Sequence, residues 1–168
     1  MKFSLSFLAL LPLAVFAQNN TSNAPIQRSI ISSTQAQTVI QAAVENATAI
    51  NVPQNIAIVD PSGLLVAFLR MDNAYPGSID VSTKKARTAV LFNGIPSGGL
   101  YDAVQPGAPL YGIENTNGGL IVFGGGFPIY WDGQLIGGVG VSGGSVEQDV
   151  QVATAGVLGL GATTSAPS

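Results

Sequence analysis

The sequence predicts an α+β domain: an antiparallel sheet of about five strands flanked by helices. Three observations predict it. Helical apolar patterns occur near residues 35–50, 80–92 and 145–160, with strand-like runs between them. Two turn signals, Pro61-Ser62-Gly63 and Asp132-Gly133, each join apolar runs that follow one another directly, which builds antiparallel pairs. The strands arrive as hairpins and not in strand–helix–strand alternation, which excludes a doubly wound sheet.

The chain starts with an export pattern. Lys2 is the only charge before Arg28, and Phe3 to Phe16 is apolar apart from Ser4, Ser6 and Pro12. Val15-Phe16-Ala17 then offers compact residues at the −3 and −1 positions of a cleavage site. The run is shorter than the roughly 20 residues of a membrane span. Residues 1–17 therefore read as a signal peptide, and the protein as secreted and extracellular, starting at Gln18. Residues 18–33 are polar and read as a flexible arm.

The domain proper is expected over 34–160. Thr34 is placed to cap a helix over 35–50, with Val39, Ile40, Ala43, Val44, Ala47 and Ile50 on one face. Asn51-Val52-Pro53 stops it. Asn55–Asp60 and Leu64–Arg70 form a hairpin, followed by a loop to Gly77. Ser78 or Asp80 caps a second helix to about Phe92, on which Asp80 and Lys84 stand four apart in the favourable order. Residues 95–109 are irregular. Gly119–Phe123, Phe127–Trp131 and Gln134–Ser142 read as a three-stranded meander. A capping box of Ser145 and Gln148 opens the last helix, with an apolar stripe of Val146, Val150, Ala153, Val157 and Leu160. Residues 161–168 read as a disordered tail.

Composition narrows the function. Without residues 1–17 the chain keeps 151 residues, enough for one domain, with five basic against nine acidic side chains. That balance argues against nucleic acid and anionic membranes as partners. Charged residues make up 9% of the chain, against roughly 25% in ordinary domains. Such a surface is either covered by further subunits, which predicts a homo-oligomer, or built of Ser, Thr, Asn and Gln. There is no Cys and no His. This removes Ser-His-Asp and Cys-His catalysis and the usual zinc sites, and no metal site is expected. Asn19, Asn20 and Asn46 begin glycosylation sequons.

Several residues could carry chemistry. Gly124-Gly125-Gly126 lies between strands, either as a turn needing positive φ or as bare backbone that a flat ligand can approach. Ser142-Gly143-Gly144-Ser145 could hold an anion at a helix start, but simple capping is the favoured reading. Glu147 and Asp149 answer the helix dipole and point different ways. Arg70, ending a strand, could grip a carboxylate or pair locally with Asp72 or Asp80. Lys85 lies with Val81 and Ala89 on an apolar stripe, so it either snorkels or faces a cavity. Met71, Tyr75, Tyr101, Tyr111 and Tyr130 are the available soft or phenolate ligands for a porphyrin iron.

These motifs also form an ordered set. Ile58-Val59-Asp60-x-x-Gly63, Arg70-Met71-Asp72, Ser78-Ile79-Asp80, Lys85-Ala86-x-Thr88-Ala89, Leu110-Tyr111-Gly112, Gly124-Gly125-Gly126-x-Pro128, Gly140-Val141-Ser142-Gly143-Gly144 and Glu147-Gln148-Asp149 resemble the GlcG/HbpS-like family, which includes the C-terminal domain of PduO-type proteins. The resemblance implies a profilin-like fold, assembly into dimers or larger rings, and heme as a cofactor or ligand. Where relatives use His for iron, this chain has none. The expected function is a secreted heme- or porphyrin-binding or heme-processing protein. The alternative is an isomerase- or lyase-type enzyme holding an anionic substrate with Arg70 and Lys85, with Glu147, Asp60 or a Tyr as acid or base. The expected ligand-binding residues are Arg70, Met71, Lys85, Gly124, Gly125, Gly126 and Glu147, around a pocket between the 70–72 loop, the Lys85 helix and the 124–128 turn. No catalytic residue is assigned.

Overall fold

The computed structural model describes residues 27–167. The signal-peptide reading and the sequons at Asn19 and Asn20 lie outside them. The elements run α1 (Ser33–Ala49), β1 (Asn55–Val59), β2 (Leu65–Arg70), α2 (Ser78–Leu91), β3 (Gly126–Trp131), β4 (Gln134–Ser142) and α3 (Val146–Gly159). The sheet is antiparallel in the order β2-β1-β4-β3.

The helix starts follow from their caps. Ser32, not Thr34, caps α1, through a capping box with Gln35. Ile31, ahead of this cap and within the expected flexible arm, is buried, and its N–H donates to Ile136 O at 2.8 Å. Ser145 and Gln148 form the expected box on α3. Gly77 precedes α2 without a side-chain cap. At the β3–β4 turn Asp132 and Gly133 both take positive φ, 47° and 76°, the left-handed pair that matches strand twist.

Alternation along the strands builds two layers. Ile56, Ile58, Ile129, Ile136, Val139 and Val141 face α1 and α3, while Ala57 and Val59 face α2 with Ala86 and Val90. β1 is buried on both faces. The buried face of α3 is Asp149, Val152, Ala153, Gly156 and Val157. Val146 and Val150 turn instead toward Gly124.

The sheet has four strands, not about five. Residues 119–123 join no ladder. Their backbone is held otherwise: Leu120 N–H donates to Glu114 O at 2.9 Å, Ile121 N–H donates to Thr88 Oγ1 at 3.1 Å, and Ser97 Oγ donates to Phe123 O at 2.6 Å. The outer edge of β3 is taken by the C-terminal segment, where Tyr130 and Thr163 exchange N–H···O bonds of 2.9 and 3.0 Å. That segment is therefore tied down at Thr163, where a disordered tail was expected.

Candidate functional site

One end of the sheet collects most of the sequence motifs. Asn55, opening β1, stands opposite both Arg70, which ends β2, and Ser142, which ends β4. β3 begins at the same end, with Gly126 opposite Gly140. A cleft of about 370 Å3 opens there. Val52 and Pro53 give it apolar surface, Gly143 and Gly144 give bare backbone, and Asn73 and Tyr75 come from the loop after β2. Tyr75 is 67% exposed. Behind Gly143 the carboxamide of Gln54 is buried with no protein partner for either its oxygen or its nitrogen.

Next to this cleft lies an ion pair sealed from solvent. Lys85 is 0% exposed and its Nζ stands 2.7 Å from Asp149 Oδ2. The ammonium also donates to Val141 O at 3.0 Å and lies 4.8 Å from the centre of the Phe123 ring. Asp149 Oδ1 accepts the Gly144 N–H at 3.0 Å. One pair thus ties α2, β4 and the start of α3 to the glycine backbone of the cleft. Burial pushes the Lys85 ammonium below the usual lysine range, against the hydrogen bond and charge of Asp149, which raise it. Gly125 is required beside this pair. Its φ is 110°, and a Cβ there would stand 2.8 Å from Lys85 Nζ and 2.9 Å from Asp149 Cβ.

The predicted site residues share an end of the sheet without sharing a pocket. The three glycines are covered by protein: Gly124 by Val146 and Val150, Gly125 by the ion pair, and Gly126 by Lys85 and Ser97. Lys85 neither snorkels nor faces the cleft. Arg70 is exposed, with β1 and β4 between its strand and that of Gly126. Met71 is tied to Gln54, whose N–H donates to the thioether sulfur at 3.4 Å. Glu147 is exposed in the first turn of α3. Its carboxyl is held below the usual range by its own backbone N–H first and the Ser145 hydroxyl second. Asp60 Oδ1 accepts from Ser62 and Leu64 N–H at 2.8 and 3.0 Å, which holds the β1–β2 turn. Arg70 and Lys85 therefore do not converge on one anion. Among the described residues no cluster of acidic side chains could hold a metal ion. Asn46 lies within α1, with its side-chain oxygen buried.

Asp149 was missed as a site residue. The available signal was Lys85 itself: a lysine on an apolar stripe needs a buried acid, and Asp149 lies on a face of α3 shared with Val152 and Ala153.

Fold and cleft define an α+β domain with one antiparallel sheet between a pair of helices and a third helix, and a polar cleft where α3 starts. The chain belongs to the HbpS-like family, described as "Haem degrading protein HbpS-like", whose model matches residues 31–158. It is 47% identical over 116 residues to an uncharacterized 15.0 kDa protein from the dhaT-dhaS intergenic region of Citrobacter freundii, covering 68% of this chain and 80% of the relative. It is 43% identical over 125 residues to the corrinoid adenosyltransferase PduO of Salmonella typhimurium, covering 74% of this chain but spanning only 37% of PduO. Among solved structures, the PduOC:heme complex superposes with a TM-score of 0.76 at 40% identity, over 80% of this chain and 98% of that one.

Proposed function

We propose that this protein binds heme or a related porphyrin as an exported module, in the cleft where α3 begins. Membership of the HbpS-like family and the likeness to the PduOC:heme complex support the ligand class. Export rests on the pattern of residues 1–17. The observation that carries the place is Tyr75. Its ring stands largely exposed beside Val52, Pro53 and the bare backbone of Gly143 and Gly144.

The donors present fit a porphyrin in a particular way. With no His and no Cys in the chain, imidazole and thiolate are missing and the usual side-chain ligands left are phenolate and thioether, and Met71 already accepts a hydrogen bond from Gln54. Tyr130 is placed within 3.5 Å of Asn93 O. Tyr75 faces a cleft with apolar surface and glycine backbone, and phenolate is a known iron ligand class. Bound heme would supply redox and oxygen chemistry. The chain would supply the phenol, the apolar contact and exclusion of water from one face.

The test is titration of the purified protein with hemin, read in the Soret region, in parent and Tyr75→Phe. Saturable binding by the parent and a shifted, weakened Soret band in the variant are expected. A parent that binds no hemin removes the ligand. A variant indistinguishable from the parent removes the site.

A further inference from the structure

The sequence contains two Asn-Gly pairs, Asn93-Gly94 and Asn117-Gly118. All four residues take positive φ, 54° and 93° in the first pair and 54° and 75° in the second. The fold holds the two pairs differently. Asn93-Gly94 follows the end of α2. There Gly94 N–H donates to Ala89 O at 3.0 Å and Asn93 N–H donates to Val90 O at 3.1 Å, and a Cβ on Gly94 would collide with the Tyr130 hydroxyl. Asn117-Gly118 forms the centre of an exposed turn, closed by Gly119 N–H donating to Thr116 O at 2.9 Å. Among the described residues no acceptor meets the Gly118 N–H, and a Cβ on Gly118 would meet nothing within 4 Å. The Asn117 side chain is restrained by a 2.9 Å bond from Nδ2 to Oγ1 of Thr116, which is itself exposed.

We propose that Asn117 is a site of spontaneous covalent modification, converting to isoaspartate in the folded protein while Asn93 is preserved. The Gly118 nitrogen attacks Asn117 Cγ. The N–Cγ bond forms, the Cγ–Nδ2 bond breaks, and Nδ2 leaves as ammonia with the proton of the Gly118 N–H. One water then opens the five-membered imide. Attack at Cγ gives aspartate, and attack at the Asn117 main-chain carbonyl gives isoaspartate; in both the ring nitrogen takes its proton from that water. Nothing is oxidised or reduced. Glycine at 118 leaves the attacking nitrogen uncrowded. Arg87 favours the isoaspartate branch. Its Nη2 donates to Asn117 O at 3.2 Å, which sets a cation where negative charge builds as water adds to that carbonyl. Isoaspartate adds a methylene to the main chain of the turn that sets Gly119 against Lys84 and leads into the Leu120 N–H bond to Glu114 O. This inference is independent of the heme reading.

The test incubates the full chain in warm, mildly alkaline buffer and follows both pairs by peptide mass spectrometry that separates asparagine, aspartate and isoaspartate. In the folded protein Asn117 should convert roughly tenfold or more faster than Asn93, the factor expected where a hydrogen bond must break before the nitrogen can attack. In denaturant the two should convert at similar rates, since each is followed by glycine. Arg87→Met, which keeps the aliphatic stem against Gly63, should lower the isoaspartate-to-aspartate ratio at 117 toward the ratio found in denaturant. Equal rates at 93 and 117 in the folded protein overturn the proposal. So does an Asn117 that stays intact when folded but converts in denaturant. An isoaspartate fraction that Arg87→Met leaves unchanged overturns the role of Arg87.

Discussion

Two neighbouring lysines on α2 make the same bond in opposite surroundings. Lys84 meets Asp80 at 2.7 Å on the solvated face, and Lys85 meets Asp149 at 2.7 Å with both side chains sealed from water. Distance alone would rank them equal. Their consequences differ because water shields the first pair and is absent from the second. The surface pair joins two residues of one helix, one turn apart, and its contribution is a few tenths of a kcal/mol. The buried pair joins α2 to α3 and, through Val141 O and Gly144 N–H, to the end of β4. Its formation costs desolvation of two charges, so its net contribution is small, but loss of one member leaves the other stranded. The lowered ammonium of Lys85 is the signature of that cost.

Breaking the buried pair on one side gives the largest expected effect. Asp149→Ala should cost about 3–5 kcal/mol of unfolding free energy by denaturant titration. Replacing both members, Lys85→Met with Asp149→Leu, should recover part of that loss. The remainder belongs to Val141 O and Gly144 N–H, which lose their partners. An Asp149→Ala cost below about 1 kcal/mol would place the pair in the surface class and remove the distinction.

The surface pair sharpens the comparison from the other side. Asp80→Ala and Lys84→Ala should each change stability by about 0.5 kcal/mol or less, and added salt should shrink the difference further. A cost comparable to Asp149→Ala would mean that Lys84 does more than meet Asp80. One further contact is already visible: a Cβ on Gly119 would touch the Lys84 side chain at 3.0 Å.

The same contrast explains what could be read from the chain in advance. Asp80 and Lys84 are four apart, and a helix of known period puts them together. The capping box at Ser145 and the Asp132-Gly133 turn are equally local, and both formed as expected. Lys85 was visible as a misplaced charge, but its partner lies 64 positions away. Only the packing of α3 beside β4, with α2 on the other face of that strand, brings Asp149 there, and the short spacing to Glu147 points to the exposed neighbour instead. The false strand at 119–123 has a related cause. Its apolar run is real, yet its backbone bonds go to the preceding turn at Glu114 and Thr116 and to the side chains of Thr88 and Ser97, which no period reveals. The glycines at 124–126 could be read as sites of close approach. What approaches them is Val150, the ion pair and Ser97. The cleft with Tyr75 depends on three loops meeting at one end of the sheet, and loop placement is not written in apolar patterning.

The smallest expected effect completes the series with a charge that has no cationic partner among the described residues. Glu147 is fully exposed at the start of α3, and its carboxyl is held below the usual range by its backbone N–H and by Ser145. A carboxyl whose folded value lies below its unfolded value favours the folded state when ionised. That contribution is complete above the ordinary value near 4.5 and is lost as the pH falls through the lowered one. The helix start adds to it, since the aligned peptide dipoles favour a negative charge there. Glu147→Gln keeps the size of the side chain and removes its ionised form. In thermal unfolding scans between pH 3 and 7 the variant should melt slightly lower than the parent at neutral pH, and the two curves should converge under acid. Parallel curves across the whole range would show that Glu147 contributes nothing through its charge, leaving the cap of α3 to Ser145 and Gln148 alone.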